Sequence, residues 1–175
     1  MTSAAPRWPL GLIPTSAWGS AGRTGIPPEA WGVVRRACYA RAHHRCEACG
    51  ANGRLEAHEW YQWDDARGIQ RLGRIAAACP THHAAVHLGR TRSLSGSDRA
   101  AREALAELAQ ANGWSVPQAA LYARHELALC AARSKRRWTL DLSALAEFGI
   151  AIPPVPGGRH GGQRGWLARL LGGGR

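Results

Sequence analysis

The chain has 175 residues, a hydrophobic fraction of 45% and a formal net charge of +11. That length suits one domain of ordinary size with tails, and no run of roughly 18 apolar residues offers a membrane span, so no membrane partner is expected. Charge excludes little by itself: a basic chain favours polyanions such as nucleic acid, but 22 of the 23 basic residues are arginine in a chain rich in Ala and Gly, which also fits GC-rich coding.

Residues 1–25 are rich in Gly, Pro and Ser, carry two arginines and no acid, and lack a period, which predicts an extended arm. The opening "MTSAAPRWPLGLIPTSAWG" is a poor signal peptide, with one arginine and an apolar patch broken by prolines. A cytoplasmic protein is expected, a setting that disfavours disulfides. The odd count of five cysteines also forbids full pairing within the chain.

A helix is predicted over "IPPEAWGVVRRACYARAHH", with proline in its first turn and Glu29 at the positive end of its dipole. Trp31, Val34, Cys38 and Ala42 share one face at helical spacing. Two short strands follow, "RLEAHEWY" and "QRLGRIAAA", linked through "QWDDARGI". Asp64 and Asp65 in that link are turn formers, or else groups that help hold a metal. Trp60, Tyr61 and Trp63 pack against a helix or stack on bases. A short helix is predicted from Pro80 to about Leu88.

Further helices are expected in "SGSDRAAREALAELAQANG" and "SVPQAALYARHELALCAARSK". Ser97 suits an N-cap, Asn112-Gly113 a stop, and Ser115 with Gln118 a capping box. "WTLDLSALAEFGI" predicts a short strand and a helical turn ending at Gly149, and residues 151–175 a disordered Gly/Arg-rich tail. Within that tail, "GWLARLL" is faintly amphipathic, and the tail is a candidate contact for a protein partner. The expected division is an arm (1–25), a metal-binding core with its preceding helix (26–92), a helical extension (93–150) and the tail.

Cys46 and Cys49 form Cys-x-x-Cys, with Gly50 supporting the turn, and Cys79 and His82 form Cys-x-x-His thirty residues later. Three thiolates and one imidazole suit a tetrahedral structural Zn2+; the alternative is two unrelated pairs of core cysteines. Cys38 and Cys130 lie on helix faces and read as small core residues. His82 and His83 are neighbours, so on a helix they point about 100° apart and hardly serve one ion. His83 and His87 are four apart and share a face, and His58 on the first strand could supply a third ligand. Either these histidines form a second, open metal site or His83 and His87 lie on a solvated helix face.

Cys-x-x-Cys, then "LEAHEW", then "CPTHHAAVH" resembles the zinc-containing HNH endonucleases. The likeness extends to Trp63-Asp64-Asp65, to Ile69-Gln70-Arg71-Leu72 and to Trp138-Thr139-Leu140-Asp141, covering about residues 10 to 150. The resemblance implies an α+β fold: a ββα-metal, treble-clef-like core with a zinc staple, an N-terminal helix and a C-terminal helical region. It implies structural Zn2+ on Cys46, Cys49, Cys79 and His82, and a catalytic Mg2+, Mn2+, Ni2+ or Zn2+ on His58, His83 and His87.

The family pattern departs at His58-Glu59, where His-His or Asp-His is usual, and near Arg74, where an asparagine is usual. If His58 is a ligand, Glu59 takes the place of the general base; if His58 is the base, Ala57 takes that of a ligand. The expected function is hydrolysis of phosphodiester bonds in DNA by a bacterial enzyme, with His58, Glu59 and His83 catalytic. Arg74, Arg90, Arg133, Lys135, Arg136 and Arg137 are candidates for nucleic-acid contact, although "RSKRR" also suits a helix C-terminus. The alternative is a catalytically inactive zinc-stapled module that binds nucleic acid or a protein.

Overall fold

A computed structural model describes residues 5–17, 26, 28–88, 98–150 and 155–156. Arg90, Ser97 and the tail with "GWLARLL" lie outside the described residues, as do parts of the arm. The fold is α+β: helix α1 (Pro28–Arg41), strands β1 (Glu56–Asp64) and β2 (Ile69–Ala78), helices α2 (Pro80–Val86), α3 (Asp98–Asn112) and α4 (Val116–Arg133), then strands β3 (Thr139–Asp141) and β4 (Val155–Pro156). The strands form one mixed sheet in the order β1-β2-β3-β4. Among the described residues no helix is long and apolar enough to cross a membrane.

Helix α1 starts on Pro28 and carries Glu29 in its first turn and Arg41 in its last, each charge opposing the helix dipole. Trp31, Val34 and Cys38, spaced three and four apart, are buried. The helix ends without a glycine: His43 and His44 take left-handed φ values of 51° and 55°, and the His44 N–H donates to the Tyr39 carbonyl at 2.8 Å. β1 runs to Asp64, three residues beyond the predicted strand, because Trp63 packs edge-on against Trp138 at 4.8 Å.

The turn between β1 and β2 resolves the two readings of the Asp pair. Asp64 Oδ1 accepts from the Arg67 N–H at 2.9 Å, and Gly68, at φ 67°, donates to the Asp64 carbonyl at 2.8 Å. Asp64 is therefore a turn former.

The chain divides into two compact units. In the first (Met1–Leu12, Cys38–His58, Ala76–Leu129), a core of Leu10, Leu108, Ala109, Ala119 and Ala123 is flanked by Leu105, Trp114 and Tyr122. α2 packs on α3 here. Ala76, Ala77 and Ala78 have no exposure at all, so the end of β2 is covered on both faces. Gly113 (φ 67°) stops α3, and Ser115 and Gln118 form the predicted capping box: the Ser115 N–H donates to Gln118 Oε1 at 2.8 Å, and the Gln118 N–H to Ser115 Oγ at 3.4 Å.

In the second unit (Ile13–Ala37, Glu59–Ile75, Cys130–Arg175), β3 pairs parallel to β2, with Gln70 opposite Leu140 and Arg71 opposite Asp141. Trp138 is buried, and its indole N–H donates to the Arg133 carbonyl at 3.0 Å. The Arg133 guanidinium lies over the Trp63 ring at 5.6 Å and grips Asp65, Nη2 to Oδ2 at 2.7 Å and Nε to Oδ1 at 3.1 Å.

Candidate metal centre

Both metal clusters expected from sequence assemble in the first unit. Cys46 and Cys49 sit in a tight turn after α1, closed by the Gly50 N–H on the Cys46 carbonyl at 2.7 Å, with Gly50 at φ 75°. The Cys46 N–H donates to the Ala51 carbonyl at 2.9 Å. Glu47 ties this knuckle to β2: its N–H donates to the Ala77 carbonyl, and its Oε1 accepts from the Ala77 N–H, both at 2.9 Å. Cys79 caps α2 with Pro80 next in the helix, and His82 follows one turn later.

Candidate ligand atoms of Cys46, Cys49, Cys79 and His82 lie within 4.8 Å of one another. Cys79 Sγ and His82 Nδ1 are 3.2 Å apart, so Nδ1 faces the sulfurs. The far nitrogen, Nε2, faces Glu107 Oε2 at 3.8 Å. A metal-binding histidine commonly presents its other nitrogen to a carboxylate in this manner. Burial holds the His82 pKa below its usual value, with Glu107 opposing, which favours the neutral imidazole a metal needs.

Burial pushes the Cys46 thiol up, but backbone N–H groups of Cys79, Cys49 and Ala48 aimed at its sulfur outweigh that and bring its pKa down. Cys49 moves the other way, raised by burial and by the thiols of Cys46 and Cys79. A thiol held back from ionising by its neighbouring sulfurs, as Cys49 is, suits a cation placed among them. This Cys3His group can hold a zinc ion.

His58, His83 and His87 make the second cluster, again with candidate ligand atoms within 4.8 Å. The ring centroids are 5.3 Å apart for His58–His83, 4.7 Å for His58–His87 and 4.8 Å for His83–His87. His58 is buried on β1, His83 is on α2, and His87 caps the end of α2. Three imidazoles can hold another metal and would leave coordination positions for other ligands.

Glu56 is a site residue absent from the sequence expectation. It lies two positions before His58 on β1, and its Oε2 is 2.6 Å from His83 Nδ1. The signal was present: residues two apart on a strand share a face. By the same alternation Glu59 points to the opposite face from His58, and it belongs to neither ligand group. The carboxylate two positions before His58, on the same face of the strand, is Glu56.

The basic residues separate by environment. Arg133 is spent on Asp65 and Trp63, with only 17% of its side chain exposed, and Arg136 lies over Trp138 at 5.7 Å. Arg74 lies over the Trp60 ring at 4.7 Å, while Lys135 and Arg137 are exposed. Compared with models of known protein families, with curated proteins and with solved structures, the chain matches none.

Proposed function

We propose that the protein is a metal-dependent endonuclease of the HNH type that hydrolyses phosphodiester bonds in DNA. The observation that carries this reading is a three-histidine cluster standing beside, and separate from, a Cys3His group. The order of knuckle, hairpin and short helix supports a ββα-metal, treble-clef-like core. The family resemblance carried by "LEAHEW" and "CPTHHAAVH" supports the chemistry. The five cysteines are all free thiols, which suits a reducing, cytoplasmic setting.

In this reading Cys46, Cys49, Cys79 and His82 hold a structural Zn2+ that clamps the knuckle to the start of α2. His58, His83 and His87 would hold a second divalent ion, which would supply positive charge to a bound phosphate. Glu56 fixes the His83 ring by accepting from its Nδ1, which leaves Nε2 as the ligand atom. Imidazole donors favour Zn2+, Ni2+ and similar ions, whereas Mg2+ prefers oxygen. Mn2+ falls between, so nicking activity is expected to rank Mg2+ lowest. Exposed Arg74, Lys135, Arg136 and Arg137 would meet backbone phosphates, whereas Arg133, largely covered, serves the fold.

The test is nicking of supercoiled plasmid with Mg2+, Mn2+, Ni2+ or Zn2+ in turn. The wild-type chain is expected to nick, and a His58→Ala, His83→Ala double variant is not. Equal products from the two proteins in every metal would sink the reading. The departures from the family pattern at His58-Glu59 and Arg74 favour a second reading, a zinc-stapled module without catalysis. That module would bind DNA with a steep salt dependence and would contain one metal ion per chain.

A further inference from the structure

Residues 7–12 of the N-terminal arm form a strap across the first unit, bonded at nearly every step. Arg7 Nη2 donates to the carbonyls of Glu47 and Ala48, inside the cysteine knuckle, at 3.1 Å each. Trp8 is fully buried. Its N–H donates to Asn112 Oδ1 at 2.8 Å, its carbonyl accepts from Asn112 Nδ2 at 2.9 Å, and its indole N–H donates to the His82 carbonyl at 3.4 Å. The Leu10 N–H donates to the Tyr122 hydroxyl at 3.2 Å. The Gly11 N–H then donates to the Val86 carbonyl, at the last residue of α2, at 3.0 Å.

At Gly11 the backbone lies directly against His58. A Cβ at this position would stand 2.8 Å from His58 Cε1 and 2.7 Å from Val86 Cγ1, and closer still to His58 Nε2. Real Cβ atoms essentially never approach heavy atoms that closely. With any side chain at position 11, either the His58 ring moves or a methyl fills the space beside its ring nitrogen. Both outcomes spoil the histidine as a ligand, since sites of this kind tolerate little displacement. The requirement is for small size, because the Gly11 backbone is not in the left-handed region.

We propose that Gly11 is a positioning residue of the three-histidine site, and that the strap is the element that sets the His58 ring against His83 and His87. The inference rests on the reading of those histidines as a metal site, and it does not need the site to be a nuclease. It assigns the N-terminal segment a task that neither its composition nor its lack of periodicity suggests. The strap also touches the knuckle through Arg7 and the Cys3His group through Trp8, whose ring meets the His82 ring edge-on at 6.2 Å. One short segment thus borders both clusters.

The experiment is Co2+ titration of the full chain, with the thiolate-to-metal absorption reporting the Cys3His group and isothermal calorimetry reporting the second ion. Gly11→Ala is expected to weaken the second ion by about tenfold or more while the thiolate band keeps its intensity and midpoint. Leu145→Ala, which trims a buried side chain in the second unit, should leave the second ion's affinity unchanged. A double-mutant cycle adds a stability readout: the destabilisation caused by Gly11→Ala should shrink in a His58→Ala background, where the ring is gone. If Gly11→Ala does not fold, Asn112→Ala releases the strap at Trp8 without adding any atom near His58. It is expected to weaken the second ion several-fold.

Wild-type affinity for the second ion in Gly11→Ala, or in Asn112→Ala where that variant is the one used, overturns the inference and leaves the metal site standing. Failure of the wild-type chain to bind a second ion overturns the site and the inference together.

Discussion

The two clusters use adjacent histidines, yet their surroundings differ in kind. The Cys3His group draws on soft cysteine sulfurs from one tight turn and from the N-terminal cap of α2, and its histidine meets Glu107 at a loose 3.8 Å. The three-histidine group has no sulfur, and its carboxylate partner Glu56 sits at 2.6 Å from His83. The four donors of the first group could close a tetrahedron around a zinc ion and so suit a staple; the three of the second would leave positions open and would depend on outside support for their geometry. A closed site can be held by local chain turns alone, whereas an open one needs neighbours that hold its ligands in place.

The largest expected effect breaks the staple. Structural zinc in small domains is worth roughly 10–16 kcal/mol, so Cys79→Ser should remove one ion per chain and cost several kcal/mol of that. Metal analysis and thermal unfolding would register it together. An unchanged melting temperature would mean that this cluster is not a staple.

The carboxylates sharpen the contrast. Glu56→Gln is expected to weaken the second ion by about 10–100-fold and to leave the first in place. Glu107→Gln, acting across a longer gap, should change zinc affinity by no more than about tenfold. Equal effects of the two changes would erase the difference argued from distance. Competition titration with a chromophoric chelator measures both.

The strap can be followed through Tyr122. Burial pushes its phenol up to about 12, with the bond from the Leu10 N–H opposing. The folded value exceeds the ordinary 10.0, so the stabilising contribution is complete below pH 10 and is lost as pH rises through 12. The difference in phenolate absorbance between the wild type and Tyr122→Phe should titrate near 12, and the same component should titrate earlier in a variant whose strap is released. A Tyr122 component titrating at the ordinary 10.0 would contradict the docked strap.

The smallest effect lies outside both clusters and serves as their control. Hydrogen bonds from Arg133, aided by its charge and that of Arg136, hold the Asp65 carboxyl below its ordinary 3.8. That contribution is present above the ordinary value and is lost as pH falls through the lowered one. Asp65 is 46% exposed, so solvent screens the pair and Asp65→Asn should cost about 1 kcal/mol or less. Neither metal content should change; loss of either ion would show that Asp65 reaches further than its contacts.

Much of the site was legible in residue order because it rests on local geometry. The turn of about 100° between His82 and His83 on a helix assigned them to different clusters, and Cys-x-x-Cys with Cys-x-x-His marked one ligand set. Strand alternation could also have picked out Glu56, two residues before His58. The capping box at Ser115 and Gln118 and the stop at Gly113 were readable for the same reason: their partners lie within one helical turn. The hairpin's end was misplaced because Trp63 answers to Trp138, a partner 75 residues away.

The sequence by itself therefore determined which side chains could act as ligands and how neighbours divide between faces, since backbone geometry repeats with a known period. Only the tertiary structure decided that Asp65 belongs to Arg133, that Glu107 stands behind His82, and that Gly11 presses on His58. Such contacts join segments tens of residues apart and leave no periodic trace in either. Packing selects them through shape and hydrogen bonding once the chain has folded.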